Sequence, residues 1–202
     1  DELRELGVKD SKLIAPKKRE VLFDIVKEKS LAWDIIIISP DAIDQREENG
    51  MNLNELEGKT AVDIINNIKR KYSGTFVVMI DSPTNTPAPF VERLRGILDD
   101  PQITMLAEVK ADQNHIAVSA ASILAKVTRD EIIKKMQQKA EEVLKEKLDM
   151  GSGYPSDPKT KAFIAKYWNK LDAIKGGFFR KTWSTYQKIA KAHKQKGLSD
   201  FS

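Results

Sequence analysis

A chain of 202 residues with 34 Lys plus Arg, 30 Asp plus Glu and no cysteine is long enough for one sizeable hydrophobic core with a small appendage, and it excludes disulfides, zinc-thiolate centres and thiol nucleophiles. No apolar run approaches the ~20 residues of a membrane-spanning helix, and the charged opening Glu2-Leu3-Arg4-Glu5 does not read as a secretory signal, so no membrane partner and, by elimination, a cytoplasmic location are expected. The net charge of +4 leans toward a polyanionic partner, and the placement of the cations has to decide it.

Lys9-Asp10-Ser11-Lys12 is a polar turn with cations on both sides of a hydroxyl, suited to clamping a phosphate and equally readable as a surface turn. Pro16 opens a helix with an apolar face of Val21, Leu22, Ile25 and Val26, while Lys17, Lys18 and Arg19 crowd its first turn against the helix dipole and Ala15 stands where a capping hydroxyl belongs. The β-branched run Ala32 to Ile38 predicts a buried strand, and Ser39-Pro40-Asp41 caps a short helix that Asn49-Gly50 ends. A longer helix starts at Asn52, with Glu55 placed for a capping box and a stripe of Leu53, Leu56, Ala61, Ile64, Ile65 and Ile68 running toward Gly74.

Thr75 to Ile80 predicts a second buried strand that delivers Asp81 at its C-terminal end, the edge where open α/β sheets bind ligands. After the polar loop Ser82 to Pro87, Phe90, Val91, Leu94 and Ile97 mark an amphipathic helix closed by Asp99-Asp100-Pro101. Ile103 to Val109 alternates as a third strand, and Asp112 follows it. A strand, helix, strand unit returns both strand ends to one sheet edge, so Asp81 and Asp112 can be neighbours. Carboxylates so placed repel unless protonated, hydrogen-bonded or metal-bound. They suit magnesium, which takes one or two carboxylates with water and phosphate; independent capping acids are the alternative.

From Ala117 to Ala125 the chain holds only small or aliphatic residues, which predicts a helix buried on nearly every face, followed one turn apart by Lys126 and Arg129. Ile132 to Lys147 continues as a charged amphipathic helix with Met136, Val143 and Leu144 inward. Gly151-Ser152-Gly153-Tyr154-Pro155-Ser156-Asp157-Pro158 breaks regular structure, and Tyr154 in it either stacks on a sugar or base or plugs a local apolar gap. Asp157-Pro158 starts a helix with Phe163, Tyr167 and Trp168, and the Gly176-Gly177 link leads to a segment in which Arg180, Lys181 and Lys188 interleave with Trp183 and Tyr186, a pattern that favours nucleic acid. The polar tail from Lys191 reads as frayed, yet it spaces Gln195, Leu198 and Phe201 as a one-turn docking peptide would. The expected division is a core over 1–150, a helical substrate-binding part over 151–190 and a tail over 191–202.

Several of these stretches together resemble the type 2 ribonucleases H (RNase HII): Gly7 to Lys12, Ile80-Asp81-Ser82, Lys110-Ala111-Asp112, Val118 to Asp130, Gly151 to Thr160 and Lys181-Thr182-Trp183, in family order across almost the whole chain. Gln195, Leu198 and Phe201 resemble the sliding-clamp peptide that ends archaeal-type members, with Ser202 where a second aromatic often stands. The resemblance implies an α/β fold with a ribonuclease H-like mixed five-stranded sheet flanked by helices and a small helical C-terminal part. It implies an endonuclease that cuts the RNA strand of RNA/DNA hybrids and ribonucleotides embedded in duplex DNA by two-metal-ion hydrolysis with Mg2+ or Mn2+, leaving a 5′-phosphate and a 3′-hydroxyl.

By the same resemblance Asp81 and Asp112 are metal-binding catalytic acids, Tyr154 packs against the deoxyribose at the junction, and Lys9, Ser11, Lys12, Lys126 and Arg129 hold backbone phosphates. A possible sliding clamp and a monomeric state complete the expectation. The family also carries, upstream of the Lys-Asp-Ser-Lys turn, a strand with an Asp-Glu pair and Ala-Gly-Arg-Gly. Asp1-Glu2, followed by Leu3-Arg4-Glu5-Leu6, is not that pair. The sequence is therefore expected to be a fragment, catalytically incomplete, with strands lacking an edge partner; a non-catalytic hybrid-binding or clamp-tethered fragment is the alternative.

Overall fold

The computed structural model describes residues 2–75, 77–171 and 177–199, with the side chains of 194 and 196–199 left aside. The elements are α1 (Glu2–Glu5), a 3-10 turn (Ser11–Leu13), α2 (Pro16–Lys29), α3 (Pro40–Glu48), α4 (Leu53–Lys71), β1 (Val77–Asp81), α5 (Pro87–Leu98), β2 (Thr104–Glu108), α6 (Ala111–Asn114), α7 (Ile116–Leu144), α8 (Pro158–Tyr167) and α9 (Ser184–Ser199). They fall into two packing units, Asp1–Ile36 with Leu53–Arg129, and Ile37–Asn52 with Asp130–Ser202. The units part within α7, where the sequence reading put its first division at residue 150.

In the first unit β1 and β2 pair in parallel, Val77 opposite Thr104 through Asp81 opposite Glu108. Val62 and Ile65 of α4 and Phe90, Val91 and Leu94 of α5 pack on Met105 of β2, with Val78 and Ile80 of β1 joining them. Gly58 lets α4 and α5 approach closely, because a Cβ there would stand 2.9 Å from Leu94 Cδ2. A second core joins Leu22 and Val26 of α2 to Val8, Ile14 and, from α7, Ala120, Ile123, Leu124 and Val127. In the other unit Phe163, Ile164 and Tyr167 of α8 pack with Phe178, Phe179 and Tyr186.

The α/β class stands, with this small open parallel ladder in place of the implied five-stranded mixed sheet among the described residues. Several local expectations need correction. Residues 32–38 are not a strand and are not buried. A strand needs a backbone partner, and this run is pinned by side chains instead: Lys27 Nζ lies 4.5 Å from the centre of the Trp33 ring, Lys71 Nζ donates to Trp33 O (2.9 Å) and Asn67 donates to Asp34 (2.5 Å). β1 is covered on one face rather than two, leaving Val77 61 % exposed, while β2 alternates as expected, with Met105 buried and Leu106 45 % exposed. On α2 the inward face is Arg19, Leu22 and Val26, and Val21 is exposed. On α4, Val62 and Gly58 join Ile65 inside, out of phase with the predicted stripe. On α7, Val118, Ser119, Ala120, Ile123, Leu124 and Val127 are buried but Ala117, Ala121 and Ala125 are exposed. Absence of charge marked that face without burying it.

Other expectations hold. Ala15 offers α2 no capping side chain, Ser39 caps α3 by accepting from Ala42 N (3.2 Å), and Asp157 caps α8 by accepting from Lys159 N (2.9 Å). The tail departs from expectation: α9 carries helix to Ser199, through the stretch read as frayed. Among the described residues no helix is long and apolar enough to cross a membrane.

Candidate active site

The parallel ladder builds the acidic edge. Asp81 ends β1 opposite Glu108, and Ser82 N–H donates to Glu108 O (2.9 Å), carrying the pairing one residue past the acid. Beyond β2 the chain reverses through Lys110 in the left-handed region (φ 59°), which aims the first amide of α6 back at β1. Ala111 N–H donates to Asp81 Oδ1 (3.1 Å), so Asp112, the next residue, stands beside Asp81. The expected meeting of these two strand-end acids is what the fold delivers.

Hydrogen bonds around α6 fix it in place. The Glu108 carboxylate takes His115 Nε2 (2.8 Å) and the Asn114 amide, and those contacts hold it below the usual carboxylate range. Ser119 Oγ donates to Asp112 O (2.6 Å). Asp112 is only 4 % exposed. Burial pushes its carboxyl above the usual aspartate range, the negative charges of Asp10 and then Asp81 push it further, and Lys12 pulls the other way. Lys12 Nζ is 4.0 Å from Asp112 Oδ2 and largely in solvent, so it offsets little of that repulsion.

A buried carboxylate crowded by like charge is the environment that a divalent cation relieves. Among the described residues no group of three or more His, Asp or Glu side chains forms a metal cage. A cation here would take Asp81 and Asp112, with water and substrate phosphate for the remainder, an arrangement that magnesium accepts.

The turn before α2 flanks this edge. Asp10, buried, accepts from Lys12 N (2.9 Å), and Ser11 Oγ lies 2.8 Å from Ser122 Oγ of α7. Ser11 is buried, whereas Lys9 and Lys12 are exposed. Lys126 and Arg129 are half-buried, one turn apart on α7. Tyr154 belongs to the other packing unit and is 41 % exposed, which favours an outward ring over a plug. Its loop is held by Gly153 N–H on Thr160 Oγ1 (3.0 Å), Ser152 N–H on Asp157 Oδ2 (2.6 Å) and Asp157 N–H on Tyr154 O (3.1 Å). In the same unit Asp44 takes the amides of Lys181 (2.6 Å) and Thr182 (3.2 Å) and the Thr182 hydroxyl (2.7 Å). Gln195 is exposed on α9; the Leu198 side chain and Phe201 lie outside the described residues.

Sequence reasoning missed Asp10, Arg19 and Glu108. Asp10 stood inside the motif already singled out, and the spacing of Arg19 with Leu22 and Val26 placed it on the inward face of α2. Glu108 ends the strand that leads to Asp112.

The Ribonuclease HII family matches residues 1–186. The ribonuclease HII of Thermococcus onnurineus is 41% identical over 187 residues, 93% of this chain and 76% of that protein. The crystal structure of ribonuclease H2 from Pyrococcus horikoshii OT3 superposes with a TM-score of 0.77 at 35% identity, covering 96% of this chain and 84% of that one. A chain of the PCNA:RNase HII complex from Archaeoglobus fulgidus gives 0.76 at 29% identity, with 94% and 83% covered. Joined to an acidic sheet edge of this geometry, the match over nearly the whole sequence means that the chain belongs to the ribonuclease HII family of type 2 ribonucleases H.

Proposed function

We propose that this chain acts on RNA/DNA hybrids and on ribonucleotides embedded in duplex DNA, as an endonuclease that hydrolyses the phosphodiester by the two-metal route with Mg2+ or Mn2+. The observation that carries the reading is the tie between the two acids, Asp81 Oδ1 receiving the amide next to Asp112, with Asp112 buried and repelled by its acidic neighbours. Divalent ions bound there supply activation of the attacking water and neutralisation of the leaving oxygen. Asp81 and Asp112 orient their share of that charge, Lys9, Ser11, Lys12, Lys126 and Arg129 hold backbone phosphates, and Tyr154 packs on the sugar at the junction. The exposed Gln195 and the Leu198 and Phe201 positions form a sliding-clamp peptide, a reading supported by the PCNA complex of the Archaeoglobus relative.

Two carboxylates retain one divalent ion far better than two, so residues 1–202 on their own are expected to bind the hybrid well and to cut it slowly. The test uses a duplex with one embedded ribonucleotide, manganese and protein in excess. Cleavage on the 5′ side of a phosphate is expected to be slow, and to fall at least ~100-fold in Asp81→Asn and Asp112→Asn while salt-sensitive binding persists. Equal cutting of all-DNA duplex, or cutting unchanged in both variants, sinks the assignment; rapid multiple turnover by the unaltered chain sinks the expectation of slow cutting.

A further inference from the structure

Arg19 is 7 % exposed, while its neighbours Lys17 and Lys18 face solvent. A cation in the first turn of a helix opposes the dipole, and burial adds a desolvation cost, so local helix formation gives no reason for it. Its contacts do. Arg19 Nε donates to Ser11 O (3.0 Å) and Nη2 donates to Ile14 O (2.9 Å), the carbonyls that bracket the 3-10 turn. A guanidinium presents Nε–H and Nη2–H in a fixed planar fork that meets both carbonyls, whereas an ammonium must serve both from a single nitrogen. Ser122 of α7 also meets the Ser11 hydroxyl, and Asp10 closes the turn on the Lys12 amide.

We propose that Arg19 is a positioning residue for phosphate binding: its guanidinium fixes the Ser11–Leu13 turn so that Ser11 and Lys12 meet a nucleic-acid phosphate beside Asp112. This rests on the reading of Ser11 and Lys12 as phosphate contacts. A turn ordered before the ligand arrives spares the binding step that ordering cost, so loosening it weakens affinity without touching any contact atom.

The experiment measures anisotropy of a labelled RNA/DNA hybrid with the full chain in magnesium-free buffer, across a salt series. Arg19→Gln is expected to raise Kd ~5-fold and to flatten the salt slope by about one phosphate contact, with Arg19→Lys between it and the parent. Lys12→Ala added to Arg19→Gln is expected to cost less than Lys12→Ala alone, because the two act through one turn. A merely structural role predicts a smaller binding-competent fraction and a lower melting point at unchanged Kd and slope, and that result overturns the proposal, as does simple additivity. If Arg19→Gln fails to fold, Ser122→Ala removes the other tether with Arg19 intact; an unchanged Kd there also overturns it. A parent chain with no salt-sensitive affinity for the hybrid overturns the phosphate reading itself, and this inference with it.

Discussion

Asp112 is held where its own charge is resisted, by burial first and then by Asp10 and Asp81. A raised carboxyl value means that the folded chain keeps the proton more tightly than the unfolded chain. Stability is therefore lost as pH rises from the ordinary aspartate value through the raised one, and at pH 7 the ionised group is a load on the fold. Asp112→Asn removes that load, so without divalent ions its thermal midpoint at pH 7 is expected above that of the parent. Magnesium is expected to raise the parent's midpoint and to raise the variant's by less. Scanning calorimetry with and without magnesium checks both; a variant that melts lower and still gains fully from the ion contradicts the electrostatic account.

At the scale of the element, the contact of α4 with α5 turns on Gly58. Gly58→Ala gains ~1 kcal/mol of helix propensity but drives a methyl group to 2.9 Å from Leu94 Cδ2, an atom of a fully buried side chain. Overpacking of a tight core costs ~1–3 kcal/mol, so a net loss of about 1 kcal/mol, a melting point ~2–4 °C lower, is expected from thermal unfolding. The elements themselves show what a sequence can carry. β1, α5 and β2 were legible because their alternation and turn residues are local, and the connection alone brings Asp81 beside Asp112. The run 32–38 was not, since strand formation depends on a partner elsewhere in the chain. Arg19 was read only as one of three cations in the first turn of α2; its spacing with Leu22 and Val26 marks the inward face, but the acceptors that hold it there lie on the preceding turn.

For the whole molecule, a net charge of +4 spread over 34 basic and 30 acidic residues says little, and the proposed phosphate contacts draw on only a few of those cations. On the proposed reading, the substrate contacts and the clamp peptide lie on separate stretches of the chain. Ending it after Lys194 keeps the stack of His193 on Trp168, so hybrid affinity is expected to change less than about twofold while retention on an immobilised sliding clamp is lost. Co-loss of both, in paired binding measurements, contradicts that separation. The division into units at residue 129 was not visible in the sequence, because α7 runs through it without a glycine or proline to mark it.

The acids of the sheet edge are mechanically in series. The Ser82 amide is fastened to Glu108, Asp81 grips the amide beside Asp112, and Glu108 in turn grips His115 at the end of α6. Stretching any link of that ring strains the next. On the proposed reading, these ties hold the backbones of Asp81 and Asp112 at a set spacing, and ions of different radius would be accommodated by the water and phosphate oxygens completing the shell rather than by the protein.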